Sequence, residues 1–174
     1  VTILQEVKKF YGATSIHCSQ EFAPFGVKAE ADCLKAGLDL QIVGSGYAVA
    51  PGRVRKDDGT PYKVYTPFYR AWLAHGWRAP VAAPKQQPWI APTGEMAKRS
   101  EIPDWRTEIE LAPTGEAVAL EKFKKFLKDG AEGYSDNRNT PGIAGTSKLS
   151  PHLRWGEIHP RTLLAKLGSS KGHE

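Results

Sequence analysis

The residues best suited to chemistry lie in a hydroxyl-rich turn, in which Thr146, Ser147 and Ser150 surround Lys148. Ser150 followed by Pro151 is typical of a helix N-cap and a proline at the first helical position, so the pattern predicts a helix start. Unpaired backbone N–H groups and the positive end of a helix dipole suit a phosphate or pyrophosphate group. The spacing alone favours an ordinary capped helix over an anion site, because capping is the commoner use of a Ser-Pro pair.

A longer run around this turn resembles the photolyase/cryptochrome family at the start of its flavin-binding domain. The run extends from Tyr134 through Asp136-Asn137-Arg138 and the turn to Gly156-Glu157-Ile158 and Pro160-Arg161. The resemblance implies that the diphosphate and ribityl chain of FAD are held by Tyr134, Thr146, Ser147, Leu149 and Ser150. Lys148 stands where arginine is more usual in the family, which keeps the positive charge and loses the planar fork of a guanidinium.

A second block, from Gly59 to Trp72, resembles the family segment that leaves the antenna domain and enters the linker. Weaker similarity extends back to about Ile3. Within the block, Thr66-Pro67 predicts the start of a short helix. Three aromatic residues are expected to pack in a core or between domains: Phe68, Trp72 and Trp77.

The elements that precede this block follow the order helix, strand, helix, strand. Apolar spacing predicts helices over Thr2–Tyr11, ended by Gly12, and from about Val27 to Ala36. Short strands are predicted from Ala13 to Cys18, which would be buried, and from Leu38 to Val43. This order indicates an α/β fold with parallel pairing, because crossover helices impose that topology. Since an isolated parallel pair lacks cover, the chain is expected to start inside a domain with further strands upstream.

Downstream, the proline-rich stretch 78–113, with its scattered tryptophans Trp89 and Trp105, is expected to be an interdomain linker.

Gly115 to Asp129 predicts an amphipathic helix stopped by Gly130, with an apolar stripe of Leu120, Phe123 and Leu127. Its lysines are expected to face solvent: Lys122, Lys124, Lys125 and Lys128. The pentapeptide Ala-Pro-Thr-Gly-Glu occurs at 91–95 and 112–116, and both copies are interpreted as turns leading to helices. With the resemblance, residues 1–77 are interpreted as part of a Rossmann-like α/β antenna domain, 78–113 as the linker and 114–174 as the start of an all-α FAD-binding domain.

Composition excludes several classes of protein. Of the 174 residues, 40% are hydrophobic and 25% are charged, which is typical of a globular domain. No apolar run approaches the roughly twenty residues of a membrane-spanning helix, and no signal-peptide pattern is present, so no membrane partner and a cytoplasmic location are expected. Two cysteines, Cys18 and Cys33, are too few for a disulfide framework, and Cys18 is predicted to be a buried structural thiol.

Other candidate groups carry less chemistry. The histidines show no spacing for hydrolysis or for a metal site, so no metal is expected: His17, His75, His152, His159 and His173. Glu157 is interpreted as a helix-terminal carboxylate in a packing turn in preference to a general acid. Gly44-Ser45-Gly46 is interpreted as a plain turn because it lacks the rest of a dinucleotide-binding fingerprint. Residues 145–172 contain one acid and five basic residues, which could serve cofactor phosphates or DNA: Lys148, Arg154, Arg161, Lys166 and Lys171.

The resemblance implies a function. A member of this family would be a light-dependent flavoenzyme that splits cyclobutane pyrimidine dimers in DNA by electron transfer from reduced FAD. For an antenna chromophore, folate or deazaflavin, Glu21 stands where some members use an acidic ligand, whereas Ala23 and Ala29-Glu30 depart from the family pattern. No catalytic residue is assigned within this chain, which is expected to be inactive by itself. Two alternatives stay open: a cryptochrome-type blue-light signalling flavoprotein, and a non-catalytic photolyase remnant or interaction module.

Overall fold

The structure, a computed structural model, describes residues 1–91, 93–94 and 108–167. The chain divides into two compact units, one comprising Val1–Ser45 and Val81–Leu111 and the other Gly46–Pro80 and Ala112–Glu174. Residues 78–91 and 108–113 of the expected linker form neither a helix nor a strand. The predictions made for Pro92, Glu95, Trp105, Lys171 and His173 fall outside the described residues.

The first unit has the predicted α/β order. It contains helix α1 (Thr2–Tyr11), strand β1 (Ile16–Gln20), helix α2 (Pro24–Lys35) and strand β2 (Leu40–Ser45). The two strands pair in parallel in a two-stranded sheet, with Ile16 opposite Leu40 and an irregularity between Cys18 and Gln20. The α/β class and the parallel pairing are therefore confirmed.

Local signals explain where these helices begin and end. Gly12 adopts a left-handed conformation after α1, and its N–H bonds back to the carbonyls of Lys8 and Lys9, as expected for a glycine helix stop. Helix α2 begins at Pro24, three residues before the predicted start at Val27. A proline suits the first turn of a helix because it has no N–H to leave unpaired there and its φ is already helical.

The predicted buried strand from Ala13 to Cys18 is wrong in extent and in burial. Strand β1 starts at Ile16, and its residues are half-buried or exposed, Cys18 among the half-buried ones. Strand β2 runs on through Gly44 to Ser45, where a turn was expected. A two-stranded sheet offers few neighbours to cover its faces, which accounts for the exposure of both strands.

The second unit is helical wherever it has regular structure among the described residues. Its elements are α3 (Tyr65–His75), α4 (Glu116–Asp129), α5 (Tyr134–Asn137), α6 (Ser150–Arg154) and α7 (Pro160–Leu167). Helix α3 starts one residue before the predicted Thr66-Pro67 and ends at Gly76. Helix α4 follows the second Ala-Pro-Thr-Gly-Glu copy, as predicted, and is flanked by Gly115 and Gly130.

One hydrophobic core joins α4 and α7 with two residues that lie outside the helices. Phe123 and Ala119 are its members from α4, and Leu120 and Leu127 pack against it, which confirms the predicted stripe. The remaining buried members come from distant parts of the chain: Leu149, Ile158 and Leu163. The core therefore contains a residue of the hydroxyl-rich turn itself, so the position of that turn depends on the packing of α4 and α7.

Candidate cofactor phosphate site

The hydroxyl-rich turn leads into α6, but its first helical residue differs from the prediction. Ser150 lies inside the helix and Leu149 occupies the N-cap position, with no side-chain capping bond among the described residues. The predicted role of Ser150 as N-cap is therefore wrong by one residue. Since Leu149 is 96% buried, it fixes the chain at the N-cap position, and the Ser150 side chain is left exposed.

The turn sends its apolar and polar side chains in opposite directions. Leu149 is buried in the core, Thr146, Lys148 and Ser150 are exposed, and Ser147 is half-buried. None of the three hydroxyls forms a hydrogen bond with the described part of the chain. Donors that are held by a buried neighbour and left without a protein partner are suited to an external acceptor such as a phosphate.

A left-handed residue produces this alternation. Lys148 has a φ of 51°, and it is the non-glycine residue with a positive φ among those described. Such a conformation is uncommon for residues with a Cβ, and it is kept where the surrounding structure determines it. Here the buried side chain of Leu149 supplies that constraint directly after the strained residue.

The close approach of Gly145 brings the turn against helix α5. A Cβ built on Gly145 would lie 2.5 Å from Asn137 Cβ and 3.0 Å from the Asn137 carbonyl carbon and oxygen. The Gly145 N–H donates to Ile143 O at 2.8 Å, and the Thr140 N–H donates to Asn137 O at 3.0 Å. Only glycine fits this contact without displacing backbone, so the glycine places the turn beside the helix that carries Tyr134.

Tyr134 is held by two neighbours. Its ring meets Phe126 of α4 edge-to-face, with ring centroids 5.8 Å apart, and the Arg138 guanidinium lies 5.8 Å from its centroid. The residue remains 38% exposed. Arg138 was not among the predicted site residues, although its spacing of four from Tyr134 on a helix is a signal that could have identified it.

Behind the turn, a polar network connects α6 to α4. His152 is 2% exposed, its Nε2 lies 2.9 Å from Lys122 Nζ, and its Nδ1 lies 2.6 Å from Glu157 Oε2. The Gly115 N–H donates to the same carboxylate oxygen at 2.7 Å. A lysine ammonium has donors only, so Nε2 accepts from Lys122 and Nδ1–H donates to Glu157. The network therefore holds His152 as its Nδ1–H tautomer.

The network corrects one prediction and agrees with another. Lys122 was expected on a solvated face, yet it is half-buried against His152, because α6 covers this part of α4. Lys124 and Lys125 are exposed, as expected. Glu157 is the packing-turn carboxylate that was predicted, and the hydrogen bond from His152, followed by that from Gly115, lowers the pKa of its carboxyl.

The basic residues near the turn differ in what they contact. Arg161 Nε donates to Ala48 O at 2.9 Å, and the Arg154 guanidinium lies 5.5 Å from the Trp155 ring centroid. Lys148 and Lys166 are exposed and have no described partner. The charge that faces solvent next to the hydroxyls is therefore that of Lys148.

Comparison with known proteins identifies the family. The DNA photolyase family model matches residues 1–88. The chain belongs to the DNA photolyase family. This membership agrees with the resemblance recognised in the motifs, although the hydroxyl-rich turn itself lies outside the matched residues.

Relatives of the photolyase family extend over the rest of the chain. The deoxyribodipyrimidine photo-lyase of Agrobacterium fabrum is 32% identical over 171 residues, which cover 91% of this chain and 36% of that protein. The enzyme of the same name from Alkalihalophilus pseudofirmus is 30% identical over 141 residues, covering 78% and 29%. An uncharacterized 31.6 kDa protein of Synechococcus is 32% identical over 98% of this chain and 63% of its own length. The chain thus spans about a third of these two photo-lyases.

A solved structure supports the photolyase fold. The crystal structure of a bacterial class III photolyase from Agrobacterium tumefaciens matches with a TM-score of 0.71 at 27% identity, covering 97% of this chain and 37% of that one. The α/β unit and the helical unit of this chain are therefore both parts of a photolyase architecture.

The region predicted to face an antenna chromophore has a structural use of its own. The Glu30 carboxylate accepts the Glu21 N–H at 2.6 Å and so closes the loop between β1 and α2. The Glu21 side chain lies against Gly26, where a Cβ would come within 2.6 Å of it. Glu30, at one of the positions that depart from the family pattern, therefore contributes to loop structure.

Two other classes of site are absent from the described ranges. Within them, no cluster of three or more histidine, cysteine or acidic side chains has the arrangement needed to hold a metal ion. Across the same residues, none of the helices combines the length and the apolar character needed to cross a bilayer.

Proposed function

We propose that this chain is a segment of a light-dependent DNA repair flavoenzyme and that its turn, Gly145–Ser150, holds the FAD diphosphate. One observation carries the proposal: Leu149 is buried in the core, while the hydroxyls on either side of it are exposed or half-buried and have no hydrogen-bond partner among the described residues. In an ordinary capped helix, the hydroxyl of the N-cap residue accepts a hydrogen bond from a backbone N–H of the first helical turn, so it does not face outward unpaired.

The residues fit the cofactor in chemical terms. Thr146, Ser147 and Ser150 supply hydroxyl donors for phosphate oxygens, and Lys148 supplies a positive charge beside them. Tyr134, fixed by Phe126, presents an aromatic side chain from the helix that Gly145 contacts. Bound FAD would supply the light absorption and the electron that splits a cyclobutane pyrimidine dimer. The residues of this chain bind and orient the diphosphate end.

Repair is favoured over signalling by the names of the relatives, because the matched enzymes of Agrobacterium fabrum and Alkalihalophilus pseudofirmus are deoxyribodipyrimidine photo-lyases. DNA containing pyrimidine dimers is accordingly the proposed substrate of the whole protein. The chain covers 29% to 36% of those enzymes, and we propose that it does not repair DNA without the rest of the protein. The domain boundaries 1–77, 78–113 and 114–174 belong to this proposal.

The phosphate site is tested with ADP, which shares the diphosphate of FAD. Isotope-labelled chain is titrated with ADP and, separately, with adenosine, and backbone amide shifts are followed by NMR. We expect ADP to move the amides of Thr146 to Ser150 and adenosine to leave them in place. Replacing two hydroxyls, in the double variant Thr146→Ala and Ser147→Ala, should lower ADP affinity by at least about tenfold, the loss expected for a single hydrogen bond to a charged group.

A matched double variant controls for the loss of any two hydroxyls. Thr14→Ala with Ser19→Ala removes two exposed hydroxyls of the α/β unit and should leave ADP affinity unchanged. The proposal is overturned if ADP shifts the same amides as adenosine, or if both double variants weaken ADP equally. Blue-light illumination of dimer-containing DNA with this chain and reduced FAD should leave the dimers intact, and their disappearance would show that the chain alone suffices for repair.

A further inference from the structure

A cavity lies in the helical unit, between the loop after β2 and the first turns of α3. Its volume is about 430 Å³, which is within the range of sites for small organic ligands. Small aliphatic residues, prolines and a glycine form part of the wall. The rest consists of four aromatic side chains and one charged side chain: Tyr47, Tyr62, Phe68, Trp72 and Arg55. None of these residues belongs to the hydroxyl-rich turn.

The loop that forms one wall is fastened by Arg55. Its Nε donates to Gly52 O at 2.9 Å and its Nη1 donates to Gly59 O at 3.0 Å, so one guanidinium ties the two ends of the loop together. The Lys56 N–H also donates to Thr60 O at 3.0 Å. The wall is therefore formed before any ligand arrives, which reduces the entropy that binding must overcome.

The opposite wall is aromatic and equally constrained. Phe68 and Trp72 are one turn apart on α3, and Tyr62 meets Phe68 edge-to-face with ring centroids 6.2 Å apart. Trp77 stacks on Trp72 at 4.6 Å between centroids, which holds the indole in place while it lines the cavity. Flat, fixed aromatic walls favour a flat aromatic guest, which gains offset-stacked or edge-to-face contacts.

The charge of the cavity selects the sign of the guest. A guanidinium has five N–H donors, and the two bonds that fasten the loop use one on Nε and one on Nη1. Among the described residues, none accepts a hydrogen bond from Nη2, and none of those that line the cavity is acidic. Free donors of a guanidinium match the oxygens of a carboxylate or sulfonate. We infer that this cavity binds a planar aromatic anion.

The inference does not depend on the flavin proposal and is tested separately on the same chain. Isothermal titration calorimetry compares naphthalene-2-sulfonate with its neutral isostere, naphthalene-2-sulfonamide, and with the non-aromatic anion cyclohexanesulfonate. We expect the naphthalene sulfonate to bind at least tenfold more tightly than either of the other two, since it alone meets both the aromatic wall and the guanidinium. Excess pyrophosphate should not displace it.

Two variants separate the contributions of charge and ring. Arg55→Gln should weaken the sulfonate by about tenfold and leave the sulfonamide unchanged, whereas Trp72→Leu should weaken both naphthalene ligands. Arg53→Gln is the matched control, because Arg53 is an exposed arginine two positions away that does not line the cavity. Circular dichroism and thermal unfolding establish that each variant is folded. If Arg55→Gln does not fold, Trp72→Leu carries the test.

The inference is overturned by any of three results. The folded wild-type chain could fail to bind the naphthalene sulfonate at millimolar concentration. The sulfonamide could bind as tightly as the sulfonate. Alternatively, Arg53→Gln could weaken the sulfonate as much as Arg55→Gln and Trp72→Leu do, which would mean that binding is not located in this cavity.

Discussion

The α/β unit and the helical unit differ in how much of their regular structure is buried. In β1 and β2 most residues are exposed or half-buried, and Ile42 and Val43 are 38% and 58% exposed. In the helical unit, helices α4 and α7 share one core around Phe123 with Leu149 of the hydroxyl-rich turn and with Ile158. The helical unit therefore fixes its candidate site by burial, whereas the order of the strands is fixed chiefly by backbone pairing.

Contacts with distant residues position the hydroxyl-rich turn. The turn has no helix or strand of its own before Ser150, and its hydrogen bonds within the chain are few. Burial of Leu149, the contact of Gly145 with Asn137 and the polar network behind α6 hold it instead. A single substitution can weaken each of these three constraints. The expected loss of stability is largest for the core, smaller for the Gly145 contact and smaller again for the polar network.

The largest effect is expected from Phe123→Ala. Phe123 is 3% exposed at the centre of the helical core, so its truncation should lower the free energy of unfolding by about 3–5 kcal/mol. The measurement is urea denaturation followed by circular dichroism. The matched control is Phe25→Ala in α2, where the ring is 87% exposed and the same change should cost well under about 1 kcal/mol. Equal losses in the two variants would contradict the contrast between the units.

Gly145→Ala should have the next largest effect. The new methyl group would lie 3.0 Å or less from the Asn137 side chain and backbone, and such overpacking costs about 1–3 kcal/mol. We also expect a loss of ADP affinity, because the turn would move away from α5. Gly142→Ala is the control, since a Cβ at Gly142 meets nothing within 4 Å. The idea fails if the two alanine variants are equally stable and bind ADP equally.

His152→Leu tests the network behind the turn. Leucine is similar in size to histidine but cannot form the hydrogen bonds of His152 with Lys122 and Glu157. The substitution should therefore lower the free energy of unfolding by about 1–2 kcal/mol. In the wild-type chain, nitrogen-15 shifts of the imidazole should show the Nδ1–H tautomer. If the variant has the same urea midpoint of unfolding as the wild-type chain, Lys122 and Glu157 do not hold the ring. An Nε2–H tautomer in the wild-type chain would show the same.

The local signals in the sequence predicted most of the helices. Apolar spacing and a following glycine located α1 and α4 to within a residue, because both signals act within a few residues of the chain. The order helix, strand, helix, strand likewise predicted the parallel pairing of β1 and β2. Membership of the photolyase family was predicted from the motifs and is confirmed by the family model.

What could not be predicted depends on contacts between distant residues. The sequence around Ser150 has every mark of an N-cap, and only the burial of Leu149 against α4 and α7 moves the helix start by one residue. Lys122 is indistinguishable in sequence from Lys124 and Lys125, and only a histidine 30 positions away makes it part of the network. The prediction that Cys18 is buried was wrong for the same reason, because a strand pattern does not indicate which residues cover the strand.

The smallest expected effect is the dependence of stability on the Glu157 carboxyl. Its pKa is lowered in the folded chain, chiefly by the hydrogen bond from His152, so the folded state binds this proton less readily than the unfolded state does. The carboxylate therefore contributes its full stabilisation above the ordinary pKa of 4.5 and loses it as the pH falls from there through the lowered value. Glu157→Gln should flatten the acid limb of the stability curve, measured by urea denaturation between neutral and acidic pH. Glu132→Gln removes an exposed carboxyl from the same unit and should leave the acid limb as it is, so identical curves for the two variants would place the acid sensitivity elsewhere.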